Sequence, residues 1–388
     1  MIRYLEKSEF GACRPLWQEA FPEDSREFAD YYFDKKILQS SVLVKEDGTG
    51  RIVTMAHMNP YRINMGKKMW KLDYIVGVAT AADSRHRGHM RDVLMKMLGD
   101  MHQDRKPFCY LMPASPDIYR PFGFRYIFDQ PQYRLGSEAK ECLQRRELRL
   151  DGNLCSSLAG WMNHWLSSRY QVYALRDRDY MEMLQSELDS EAGSVYGWYD
   201  VSGSLQAFQA FWGREKQEQR FLYAGRDRWL EPDSGQHAPR PAIMARITDV
   251  RSFMEAIVLD EGCPCPAMDV MVNIHDPLIP GNSGLWRWKI DGNGSSLTKK
   301  GVSLPKIHTG ECAEEPDYPG TLVSTEVLDI TIEQLASWLF GYSALEELAE
   351  GEQNGVPFWC AYVQVLDGVY LDEVVIRHGL QRQEGVML

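Results

Sequence analysis

The sequence of 388 residues is poor in cysteine, in excess basic charge and in long apolar runs. Its 8 cysteines are scattered, which excludes the dense disulfide framework of a small secreted domain and fits a reducing compartment. Only Cys263-Pro264-Cys265 stand close together, with His275 a lone ligand type downstream. A structural zinc needs four ligands, so the pair reads as small apolar residues in a loop and no metal is expected. No stretch reaches the roughly 18 apolar residues of a spanning helix, and Met1–Lys7 carries no apolar signal region. A cytoplasmic protein without a membrane partner is expected. Lys plus Arg number 43 against 55 Asp plus Glu, a formal net charge of −12. Phosphate backbones are gripped by clustered Lys and Arg, so no nucleic-acid partner is expected either. Three catalytic signatures are missing as well: the phosphate loop, the three-glycine dinucleotide fingerprint and the nucleophile elbow of serine hydrolases.

What is present is an ordinary globular composition, 44% hydrophobic and 25% charged, long enough for two or three domains. Ser8 precedes Phe10, Leu16, Trp17 and Phe21 at helical spacing, and Asp24-Ser25 precedes a second apolar stripe of Phe28, Tyr31, Tyr32 and Ile37. Strands are expected at 41–44, 51–63 and 68–80, with turns at Asp47-Gly48 and Met65-Gly66. Two helices and then an antiparallel meander make an α+β opening. Met90, Val93, Leu94, Met97, Leu98 and Met101 then line one face of a helix, followed by strands at 108–112 and 125–135. From about residue 138 a second unit alternates helices and strands. Leu230–Pro241 is polar and turn-rich, and Ile243–Ile247 is expected to open a third unit. Within that unit, Asn293–Thr321 reads as a polar insertion.

One junction carries chemistry. Val78-Ala79-Thr80 ends a strand, and Arg85-His86-Arg87-Gly88-His89-Met90 opens a helix. The first-turn amides of a helix have no internal partners and sit at the positive end of its dipole. A Gly there admits a close anion, and two arginines add full charges suited to a pyrophosphate. Arg-x-x-Gly alone is also compatible with a plain solvated helix start. The histidines are better suited to a ligand edge or the surface than to acting as bases.

Together with Tyr119-Arg120-Pro121-Phe122-Gly123-Phe124 after the next strand, this junction resembles the GNAT acetyltransferase superfamily, and within it the enhanced intracellular survival (Eis) type. Tyr173-Ala174-Leu175-Arg176-Asp177, Met244–Val250 and Asp329–Ala344 extend that resemblance along the chain. The resemblance implies a mixed, mostly antiparallel GNAT fold in tandem followed by a sterol-carrier-protein-like α+β domain, divided at 1–135, 136–240 and 241–388. It implies acetyl-CoA as acetyl donor, bound by Val78, Ala79, Thr80, Arg85, His86, Arg87, Gly88, His89 and Met90. It further implies a small-molecule or peptide amine as acceptor, Tyr119 as general acid, homo-oligomerisation, and the carboxylate of Leu388 as proton acceptor. Tyr370–Val375 is similar to the family's usual ending, with thirteen residues beyond it, and Glu373 is the local alternative acceptor. A catalytically silent acyl-CoA- or lipid-binding protein is the competing reading.

Overall fold

The computed structural model describes residues 1–214, 217–232, 239–259, 261–301, 319–348, 356–357, 360, 363–364 and 369–370. The N-terminal unit begins with β1 (Ile2–Tyr4), followed by α1 (Arg14–Ala20) and α2 (Arg26–Asp34). The Ser25 hydroxyl caps α2 by accepting from Phe28 N at 3.0 Å. The segment after Ser8 is not α-helical as expected. Lys7–Cys13 is a 3₁₀ segment held by a Glu6/Glu9 capping box, and the α-helix starts only where Pro15 occupies its first turn.

β2 (Ser41–Glu46), β3 (Ile52–Met65) and β4 (Lys68–Thr80) form the meander, and α3 (His89–Gln103) leads to β5 (Phe108–Leu111) and β6 (Arg125–Gln130). The single strand expected over 125–135 is broken at Pro131, which has no N–H to give; Tyr133–Leu135 pairs with Leu230–Pro232 instead. Three later strands join the same sheet: β7 (Val172–Ala174) lies beside the far end of β3, Val369–Tyr370 runs parallel to β7, and β8 (Arg240–Ile247) lies between β5 and β6.

The place of β8 corrects the expectation that this strand opens the C-terminal unit. Ala242, Ile243, Met244, Ala245 and Ile247 are all buried. A strand covered on both faces shows a continuous apolar run, and such a run does not say which sheet it joins. One face of the sheet packs on α3 through Val93, Leu94, Met97 and Leu98. The opposite face shares a continuous core with α1, α2 and the C-terminal unit. There Phe108 meets Phe340 edge-on, with ring centroids 5.1 Å apart.

The central unit is a four-stranded antiparallel sheet of Gln144–Leu148, Ser194–Tyr199, Leu205–Trp212 and Glu218–Ala224, with the helices Gly152–Ser167 and Arg178–Ser190 packed in one core with it. The C-terminal sheet joins Ser295–Lys299, Gly284–Asp291, Ala267–His275 and Leu322–Thr331, the last two running parallel. Ser295–Lys299 is thus a strand inside the stretch expected to be an insertion. Trp286 and Trp288 are both buried and serve packing. Among the described residues no helix is long and apolar enough to cross a membrane.

Candidate active site

The site begins with an irregularity in β4. Met55 pairs with Ala79 and His57 with Val76, so β4 carries one more residue than β3 between those pairs. The extra residue is a β-bulge centred on Gly77, whose φ is +60°. A side chain there would also meet the ring of Trp17. Trp17 is itself fixed, stacked on Tyr32 at 4.4 Å and close to the buried His57. Beside the bulge, β4 and β5 pair at Tyr74–Tyr110 alone, whereas β5 keeps full register with β8 on its other side. The two parallel strands therefore part after Tyr74. That leaves Val76–Thr80 with no cross-strand partner from β5.

The loop at the mouth of this opening is tightly held. Ala82 N donates to the Glu19 carboxylate at 2.7 Å, and Arg51 Nη2 donates to both oxygens of Asp83. Arg85 Nε folds back to donate to Thr80 O at 3.2 Å. His86 and Gly88 both have positive φ, +60° and +75°. Arg85 before them is extended, so the chain turns sharply at His86 and again at Gly88 before it enters the helix. α3 then starts at His89 with no side-chain cap on its first turn. Arg85, His86, Arg87 and Gly88 are exposed, while His89 and Met90 are half-buried. Burial and nearby Lys45 and Arg87 lower the pKa of His89, so it is neutral at physiological pH. Its Nδ1 is buried without a hydrogen-bond partner among the described residues.

Tyr119 ends the one-turn helix Pro116–Tyr119 and is 8% exposed. Its ring meets Phe124 edge-on at 5.8 Å. Burial alone pushes the phenol above its usual range, so it remains protonated at any physiological pH. Among the described residues its hydroxyl makes no hydrogen bond. Tyr119 belongs to the core cluster beneath α3, and Val78 and Met90 pack against that same cluster. Ala79 faces the opposite side of the sheet, and the Thr80 hydroxyl lies 3.2 Å from that of Thr54. The structure thus brings Val78, Met90 and Tyr119 to one apolar face, with Arg85–His89 at its polar rim. Leu388 and Glu373 lie outside the described residues. The sequence reading missed Gly77; an isolated glycine inside a strand pattern is the signal for a bulge.

Residues 1–127 match the acetyltransferase (GNAT) domain. That N-terminal third is a GNAT acetyltransferase domain. Residues 261–353 match the sterol carrier protein domain, so the chain carries a GNAT acetyltransferase domain at one end and a sterol carrier protein domain toward the other. No curated protein matches the sequence. Solved structures share the fold along almost the whole chain. A GCN5-related N-acetyltransferase from Anabaena variabilis superimposes with a TM-score of 0.70 at 15% identity, over 96% of this chain and 99% of that one. A probable N-acyltransferase from Enterococcus faecalis gives 0.69 at 14%, over 97% and 99%. Eis1 from Mycobacterium abscessus gives 0.65 at 13%, over 96% and 99%. At these identities the likeness is one of fold. Among the described residues, no group of three or more His, Cys, Asp or Glu is arranged around a cation position. Cys263 and Cys265 hold their sulfurs 3.2 Å apart, half-buried against the core.

Proposed function

We propose that this GNAT enzyme uses acetyl-CoA to acetylate a primary amine of a small molecule or peptide, by direct attack of the amine on the thioester. The observation that carries this reading is the bulge at Gly77, which parts β4 from β5 and opens their backbone beside the Arg85–Met90 loop. The strand N–H groups within Val78–Thr80 are suited to polarise a thioester carbonyl. Arg85, Arg87 and the amides from Arg85 to Met90 are suited to the pyrophosphate, with Arg87 supplying a full charge at the rim. An amine with a reference pKa near ~10.4 must shed a proton before or during attack. Leu388 and Glu373 are the carboxylates that the sequence offers to receive it. As the carbon–sulfur bond breaks, the Tyr119 phenol gives its proton to the departing thiolate. A donor needs its proton in place, and burial keeps that of Tyr119 bound.

The sheet pairing supports counting Arg240–Ile247 with the N-terminal unit, so that the acetyltransferase unit is 1–135 together with β8. The central unit then spans roughly 136–239, and the sterol-carrier-type unit follows β8. The test of function is thiol release from acetyl-CoA over a panel of aminoglycosides, polyamines and lysine peptides. Amine-dependent release with a matching acetylated product is expected. Acetyl-CoA binding without release on any amine would favour the silent binding protein.

A further inference from the structure

Arg246 lies in β8, in a stretch the sequence singled out only for its family likeness, and it has no part in the chemistry proposed above. Its side chain and that of Asp276 are both completely buried. Arg246 Nε donates to the carbonyl of Phe122 at 2.9 Å, Nη1 to the carbonyl of Ile247 at 2.6 Å, and Nη2 to Asp276 Oδ1 at 2.6 Å. Its first bond reaches the turn that follows Tyr119. That turn is shaped around the guanidinium: Gly123 has φ +79°, and a β-carbon there would come within 2.7 Å of Arg246 Nε. A guanidinium is planar and presents its donors in a fixed fork, so three acceptors in fixed directions set its orientation.

Asp276 is held as firmly. Oδ1 also accepts from Leu278 N and Ile279 N, both at 3.1 Å, and Oδ2 accepts from Asn282 Nδ2 at 2.8 Å. Asn282 Oδ1 in turn accepts from Val250 N at 3.1 Å. Leu278 and Ile279 reach into the core cluster that contains Tyr119. Asp276 lies within the stretch that matches the sterol carrier protein domain, and Tyr119 within the stretch that matches the acetyltransferase domain.

We propose that Arg246, clamped by Asp276, is a positioning residue that fixes the turn carrying Tyr119, so that the sterol-carrier-type unit supplies the charge that orders the acetyltransferase site. A buried ion pair contributes little net stability but specifies one geometry when every donor and acceptor is met. Here the specified geometry is that of residues 119–124. The proposal rests on the reading of Tyr119 as the acid.

The experiment is a cycle of Arg246→Lys and Tyr119→Phe in the full chain, with hydrogen exchange of the 115–124 segment measured in parallel. Lys keeps the charge, but its compact ammonium has no planar fork to reach the three acceptors that surround Nε, Nη1 and Nη2. Arg246→Lys is expected to lower kcat by about 10–100-fold, the scale of a small misplacement of a reacting group. The KM for acetyl-CoA should stay within about twofold if only the transition state is affected. In the Tyr119→Phe background the same change should cost under about threefold, because residues acting as one unit are not additive. Exchange over 115–124 should speed up while that of α3 does not change. Full additivity, unaltered exchange at the turn, or faster exchange with wild-type kcat would each overturn the proposal. Wild-type turnover in Tyr119→Phe would instead overturn the assignment of the acid, and the exchange measurement would still decide whether Arg246 holds the turn. Should Arg246→Lys not fold, Arg246→Met with Asp276→Leu replaces both charges by apolar groups, which buried ion pairs commonly tolerate, and the same readouts apply.

Discussion

Gly77 sits so close to Trp17 that a β-carbon at position 77 would lie 2.6 Å from the indole ring. The positive φ of Gly77 and the fixed indole demand the same thing, a residue without a side chain at the bulge. Replacing Gly77 with Ala should therefore either flatten the bulge or displace Trp17 from Tyr32. We expect a loss of about 2–4 kcal/mol in unfolding free energy, combining backbone strain with overpacking, together with weakened acetyl-CoA binding. Denaturant titration and calorimetry with acetyl-CoA check the two effects; unchanged binding would separate the bulge from the donor site.

Tyr119→Phe retains the ring and its packing against Phe124 and removes only the hydroxyl. Turnover on a good acceptor should drop by about 10²–10⁴-fold, the usual worth of a positioned acid, with acetyl-CoA affinity nearly intact. Wild-type turnover, under conditions where chemistry limits the rate, would place the acid elsewhere.

Reversing both rim charges, Arg85→Glu with Arg87→Glu, should weaken acetyl-CoA binding by at least about tenfold if either pairs with phosphate. Because exposed charges are screened, the difference from wild type should shrink at high salt. Equal affinities at low salt would remove these arginines from the donor site.

His57 gives the fold an acid sensitivity. Burial lowers its pKa from 6.5 to about 3, while in the unfolded chain it titrates near 6.5. Between those values the unfolded chain takes up a proton that the folded one refuses. The contribution of His57 is full above pH 6.5 and is lost as pH falls toward 3, at about 1.4 kcal/mol per pH unit. Urea unfolding at pH 7, 5.5 and 4.5 should show a shallower pH slope for His57→Gln than for wild type; identical slopes would contradict a neutral buried imidazole.

A fragment ending at residue 135 lacks β8, which leaves β5 paired only with β4 and β6 without its partner strand. Exposed edges of that kind template aggregation. We expect the fragment to give no cooperative thermal transition, and the chain through residue 348 to give one. A monomeric, cooperatively melting 1–135 would show that β8 is dispensable.

How much of this was legible in the sequence follows from the range of the interactions. α3 could be read to within a residue or two because Val93, Leu94, Met97 and Leu98 repeat at its own period. The meander could be read because each hairpin carries its own turn. The Arg85–Met90 loop stood out because its residue types match a local backbone task. β8 was misassigned because partnership in a sheet is a tertiary fact, and Ala242, Ile243, Met244, Ala245 and Ile247 are equally apolar toward any neighbour. Pro131 was a visible breaker inside a strand drawn too long. The Arg246–Asp276 pair spans thirty positions, and neither residue type announces burial.

The position of β8 also sets an order of events during synthesis. When β6 leaves the ribosome, the strand that must lie between it and β5 is more than a hundred residues from being made. At about 5–20 residues per second that is a wait of roughly 6–25 s, far longer than hydrophobic collapse takes. The nascent acetyltransferase half spends that interval with β6 unpaired and the free edge of β5 exposed. The central unit can mature on its own schedule meanwhile. Only when residue 247 emerges can β5 and β6 be joined into one sheet.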